Sequence, residues 1–215
     1  MTGLILKDLY NLKRYLKQIG LIFVIFGFLA LQSKDPTLFI GMVTMIFSML
    51  VITSMSYDDF AKWDKYALTM PILRKDIVLS KYILFIILMI VGTVASGILS
   101  LAMNIYLHLN KAMEVVVTCG VMMLVIIFLF SILMPLLLKY GVEKSRILIF
   151  VIVGAPAFFG AVILRLMKYL NIPQPDEALL EKLFSVLPYT SIVLALLALI
   201  LSYNISVRIY EKKEF

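Results

Sequence analysis

The sequence predicts an all-α integral membrane protein with six transmembrane helices and both termini cytoplasmic, and three observations predict it. Of the 215 residues, 63% are hydrophobic and 15% charged, and mean hydropathy is +1.05, whereas soluble domains use about 45–50% apolar residues. Cutting the chain at its charged residues leaves six apolar runs near the ~20 residues that carry a helix across ~30 Å of hydrocarbon. These runs are continuous rather than alternating, which selects helices over a barrel. Finally, Lys and Arg number fifteen on the side of the N-terminus against five on the other, the bias of cytoplasmic segments. The net charge of +7 therefore reflects topology and anionic lipid rather than nucleic-acid binding. No repeat or low-complexity tract interrupts the chain, so residues 1–215 form one domain.

The first element, 3–17, is amphipathic. In "GLILKDLYNLKRYLKQIG", Ile5, Leu9, Leu12, Leu16 and Ile19 recur at helical spacing, with Lys7, Asn11, Arg14 and Gln18 opposite. That pattern fits a helix lying flat in the inner headgroup layer; a plain cytoplasmic extension of span one is the alternative. The spans follow at about 18–33, 36–57, 82–110, 115–138, 147–164 and 183–207. Lys13, Arg14 and Lys17 can snorkel from the short first span, and the long third one is expected to tilt or protrude. A cleaved signal peptide is disfavoured, because "FLALQS" after the first apolar run offers no small-residue cleavage site. Cys119, the only cysteine, lies within span four and reads as a packing residue. His108 reads as an interfacial polar residue near the outer end of span three.

The loop 58–81 is longer than turning the chain requires, and its charge is mixed. Lys62, Lys65, Arg74, Lys75 and Lys81 stand against Asp58, Asp59, Asp64 and Asp76, where a loop serving only topology needs Lys and Arg alone. Phe60, Trp63, Ala67 and Met70 recur at helical spacing, predicting a short amphipathic helix over 59–68 that Pro71 ends. Such a helix below the membrane suits docking of a soluble protein. Equally, Trp63 and Tyr66 suit anchoring at the lipid interface.

These residues carry a resemblance. "DDFAKWDKYALTMPILRKDIVLSKYI" resembles the cytoplasmic loop of small bacterial ABC-2 type transporter permeases, "MPLLLKYGVEKSR" (134–146) is similar to their junction between spans four and five, and "LILKDLYNLKR" to their opening. Met70 departs from the Leu often found there, a conservative change. The resemblance covers essentially the whole chain and is to permeases exporting phenol-soluble modulins or other antimicrobial peptides, or conferring self-immunity against them. It implies that 3–17 is an elbow helix and that the loop helix is a coupling helix seated in an ABC ATPase. Phe60, Trp63 and Tyr66 would then be packing anchors, and Asp58, Asp59, Lys62 and Lys65 polar partners at the rim, with Leu68 closing the helix. Lys139, Glu143, Lys144 and Arg146 would form a second cytoplasmic contact. Two permease copies, identical or related, would share one pathway in the bacterial plasma membrane. ATP and Mg are expected on the separate ATPase chain, since the nearest local approach to a phosphate-binding loop, "GVEKSR", lacks the required Gly-Lys pair and length.

Rival functions find less support. The runs hold no Asp, Glu, Lys or Arg, which disfavours ion-coupled transport. Intramembrane proteolysis lacks the Ser and His or paired acids it needs within the bilayer. An interfacial lipid-modifying enzyme would need Asp58, Asp59, Asp64 and Asp76 to converge on a metal, yet lysines and arginines interleave them. No catalytic or metal-binding residue is therefore assigned. Gly92, Ser96, Ser100 and Asn104 form a small-polar stripe on span three, open to helix packing or to lining a pathway. Gly154, Pro156 and Gly160 mark a kink or close contact in span five. The external segment 165–188, broken by Pro173 and Pro175, is expected to begin a capping helix at 178–184 or to be plain linker.

Overall fold

The computed structural model describes residues 2–169 and 177–213, with the side chains of Leu16, Leu38 and much of 146–189 outside that description. Every described element is helical. Helix α1 (Thr2–Leu12) passes through a 3-10 turn (Lys13–Tyr15) into α2 (Leu16–Ser33), a bend of 59°. The inward stripe of α1 is Leu4, Asp8 and Leu12, while Leu6, Leu9 and Tyr10 are exposed. This corrects the predicted face: an acidic residue belongs to the buried side because basic groups meet it there.

Lys34 stops α2 by adopting the left-handed conformation (φ 54). Helix α3 (Pro36–Phe60) starts at once, because the Asp35 carboxylate accepts from the Thr37 N–H at 3.0 Å and Pro36 occupies a first-turn position that needs no donor. Helix α3 continues through Phe60, and Lys62 (φ 49) then turns the chain into the five-residue α4 (Trp63–Ala67). The predicted helix over 59–68 is thus divided, and Phe60 does not share a helical face with Trp63. Helix α5 (Arg74–Tyr106) begins well before the predicted third span. Asp76 suits the positive end of a helix, and Ile77 and Val78 are buried, so the charged segment before Lys81 is helix rather than loop. At the far end Asn104 accepts from the Lys111 N–H at 3.0 Å, and the positive φ of His108 and Asn110 reverses the chain.

Helix α6 (Ala112–Tyr169) is broken at Gly141 (φ 75, ψ 166), a conformation that strains any residue with a Cβ. What was expected as a loop over 139–146 is a one-residue break. Helix α7 (Glu177–Glu211) completes the bundle. Among the described residues, four helical stretches are long and apolar enough to cross a membrane, Phe39–Phe60, Arg74–Tyr106, Ala112–Ser145 and Thr190–Glu211, and the bent α1–α2 pair would be a fifth. The fifth predicted span, with its glycines and Pro156, falls where most side chains lie outside the described residues. Pro173 and Pro175 lie outside the described residues; of that external segment, 165–169 ends α6 and the part from Glu177 is continuous with α7.

Helix α3 packs along α5 through small residues. A Cβ on Gly92 would come 2.6 Å from the Phe47 Cβ, the Ser96 and Thr44 hydroxyls are 3.3 Å apart, and Ser100 donates to the Pro36 carbonyl at 3.0 Å. Such residues let helices approach where lipid supplies no hydrophobic drive. The stripe from Gly92 to Asn104 is accordingly buried within the chain. Stacked Phe85 and Phe130, 4.5 Å apart, join α5 to α6, and the Tyr82 hydroxyl bonds Ser202 and Ser206, joining α5 to α7. Outward faces remain apolar, with Val24, Phe28, Ile98, Ile105, Val116, Leu194 and Leu201 more than half exposed apart from the bundle.

Candidate functional site

One end of the bundle gathers α1, the end of α3, α4, the start of α5, the Gly141 break and the C-terminal turn. Asp58, on the last turns of α3, points inward. It accepts from Lys7 of α1 at 2.6 Å and from Lys81 of α5, and is itself buried. Asp59 points the other way and accepts from the Val142 N–H at 2.8 Å. It therefore caps the second half of α6 from a distance, satisfying one of the donors a helix start leaves open. Phe60 is 68% exposed and Tyr66 57%.

Between them the ring of Trp63 is half-buried. The Lys7 ammonium lies 4.2 Å above its centroid, and the Tyr66 ring sits 5.5 Å away. Lys62 and Lys65 are exposed, and Leu68 is half-buried, its N–H donating to the Asp64 carbonyl. The predicted site thus has two faces: Asp58 and Trp63 toward the protein, Phe60, Lys62, Lys65 and Tyr66 away from it. Of the four carboxylates that the enzyme reading would bring together, Asp58 is ion-paired, Asp59 caps α6 and Asp64 lies 3.7 Å from Lys213. Among the described residues no group of three or more metal-ligating side chains forms.

The sequence matches, over residues 3–211, the family model described as an ABC-2 family transporter protein. The chain belongs to the ABC-2 transporter family. No curated protein and no solved structure matches it. Membership makes this chain a transport subunit rather than a catalytic one, of a multi-pass membrane protein, and implies association with an ABC ATPase.

In this ABC-2 transporter the second predicted contact lies beside the first. Glu143 and Lys144 line a hollow of about 260 Å³ with Ser56, Asp59 and Phe60, and Lys139 lies over the neighbouring Tyr140 ring at 5.1 Å. The side chain of Arg146 is outside the described residues. A second hollow of about 380 Å³ adjoins Phe60 from the side of Tyr15 and Tyr57. The C-terminal turn is held as well: Arg74 donates to the Glu211 carbonyl at 2.5 Å, near the end where a helix leaves its carbonyls open.

Sequence reasoning did not assign Lys7, Asp8, Lys81, Arg74 or Lys213 to this site. One signal was present. Asp8 falls four residues from both Leu4 and Leu12, on their stripe, and an acid on an inward stripe requires a basic partner.

Proposed function

We propose that this ABC-2 transporter is the permease subunit of an ATP-driven exporter in the bacterial plasma membrane, with α4 and the end of α3 forming the seat of a separate ABC ATPase. ATP and Mg bind the ATPase, and two permease copies with two ATPases make the working unit. The observation carrying this reading is the sidedness of α4 and the joint before it: Trp63 is held against the protein, while Tyr66 and Lys65 of α4, Lys62 of the joint and Phe60 at the end of α3 are exposed. An aromatic pair rimmed by lysines is the composition of a docking patch. That α1 and the C-terminal turn both pack at this end supports a reading in which both termini lie on one side and the number of crossings is even. Six spans and cytoplasmic termini satisfy that condition together with the basic bias of these segments.

For cargo, the chain's 13 methionines, which give adaptable apolar surfaces, and the resemblance favour amphipathic or hydrophobic peptides. Inverted vesicles holding both subunits should take up a synthetic amphipathic helical peptide in an ATP-dependent manner, and uptake indifferent to ATP would contradict the assignment. Tyr66→Ala, on the outward face, should lower affinity for the ATPase while leaving membrane insertion intact; unchanged affinity would make Tyr66 a lipid anchor instead.

A further inference from the structure

Lys7, Asp8, Asp58 and Lys81 form a closed ring of alternating charge drawn from three helices. Lys7 lies 2.6 Å from Asp58 Oδ1 and 3.1 Å from Asp8 Oδ1; Lys81 lies 2.7 Å from Asp8 Oδ2 and closes the ring on Asp58 Oδ2. Lys81 also reaches the Ser54 hydroxyl at 3.3 Å. Side-chain exposure is 1% at Asp8, 7% at Lys81, 10% at Asp58 and 23% at Lys7. Buried charges of this kind seldom stabilise a fold more than apolar residues of the same volume would, and their best-attested use is to fix one arrangement of the elements that carry them.

The most exposed member, Lys7, is also the one over Trp63. Helix α4 needs such a hold. Five residues make too few hydrogen bonds to be stable alone; the chain link from α3 to α4 is only Ala61 and the left-handed Lys62, and besides Trp63 the holds on α4 include buried Ala67 and the Asp64–Lys213 pair. The Asp64–Lys213 pair ties α4 to the C-terminal turn, whereas Lys7 links Trp63 to Asp58 of α3, so that force applied to α4 moves α3 rather than bending the joint.

We propose that Lys7, Asp8, Asp58 and Lys81 are positioning residues that make α1 the brace between α4 and the paired helices α3 and α5. Asp58 and Lys81 hold α3 to α5, Asp8 and Lys7 fasten α1 to that pair, and Lys7 grips Trp63. Asp58 is on this account an internal strut and not a rim contact for the ATPase. The brace itself is independent of the docking reading; its consequence for the ATPase rests on that reading.

The test uses full-length protein in nanodiscs, carrying Cys119→Ala and a nitroxide at Tyr66→Cys, which reports the mobility of α4. The decisive variant is Lys7→Gln/Asp8→Asn, which removes one charge of each sign and leaves Asp58 and Lys81 balanced. It should melt close to the parent yet raise the mobile fraction of the label about threefold or more, as a locally released segment does. Lys7→Arg, retaining the cation, should restore immobility, and Lys111→Gln, in an exposed pair elsewhere in the chain, should be silent. A label equally immobile in Lys7→Gln/Asp8→Asn overturns the brace, as does failure of Lys7→Arg to restore it in a folded protein. Adding the ATPase to unlabelled Lys7→Gln/Asp8→Asn protein, which keeps Tyr66, separates the two ideas: a loosened α4 that binds it with the parent's affinity supports the brace and counts against the docking seat.

Discussion

Two glycines of this transporter carry opposite burdens. Gly92 admits the Phe47 side chain so closely that a methyl group would meet it at 2.6 Å, whereas a Cβ on Gly120 would meet nothing within 4 Å. Gly92→Ala should therefore destabilise the bundle by about 1–3 kcal/mol through overpacking, while Gly120→Ala should be neutral or stabilise by up to about 1 kcal/mol through helix propensity. Thermal melting in detergent distinguishes them, and equal shifts would contradict the α3–α5 packing. Gly141 differs again, its need being conformational: Gly141→Ala forces a side chain into φ 75 at about 1–3 kcal/mol. These roles were half legible. The spacing of Gly92, Ser96, Ser100 and Asn104 marked a small-polar stripe, open to packing or to lining a pathway, but not its partner, because a periodicity says which residues share a face and not which helix meets it. Asp8 shows the converse: the periodicity of the apolar residues left it off both faces, although its position between Leu4 and Leu12 puts it on the buried stripe.

At the scale of elements, boundaries departed from the sequence reading wherever charge was taken as the end of a helix. Charged side chains end apolar runs without breaking hydrogen bonding, so α5 starts at Arg74 and carries Lys81 within it. Conversely the break between α3 and α4 has no Pro or Gly to announce it; Lys62 adopts a positive φ that sequence does not signal. Where turn chemistry is local, the reading was closer. Asp35 and Pro36 sit at the start of α3, near the predicted start of span two. Asp35→Ala should cost about 0.5–2 kcal/mol as a lost cap. Hydrogen bonds from the Thr37 side chain and N–H hold the Asp35 carboxyl below its usual value. A lowered folded pKa means stability that is complete above the ordinary carboxylate range and is lost as pH falls through the folded value. The gap between Asp35→Ala and the parent should accordingly narrow on acidification below about pH 4. A gap that widens in acid would show that the carboxylate is not the cap.

For the molecule as a whole, the fold class was the most legible feature, because apolar runs of bilayer length admit few other structures. The family was legible through its strings around Asp59 and Gly141, while the inward or outward direction of each side chain in those strings was not. Two expectations concern the assembly. Labelling of intact cells with a membrane-impermeant thiol reagent should reach Lys111→Cys and spare Lys65→Cys; labelling at both would overturn the assigned orientation. Mass measurement of the purified complex should give two permease and two ATPase chains, and a single permease active with one ATPase would contradict the shared pathway.

The central claim is that the outward face of α4 and the adjoining Phe60 receive the motor, and the affinity of the co-purifying ABC ATPase for Phe60→Ala/Tyr66→Ala protein tests it most directly. Truncating anchors at the middle of a docking patch typically costs about 2 kcal/mol or more, roughly 30-fold in affinity. The account predicts a loss of that size, with the variant still in the membrane and melting like the parent. An ATPase that binds this variant as tightly as it binds the parent would contradict it.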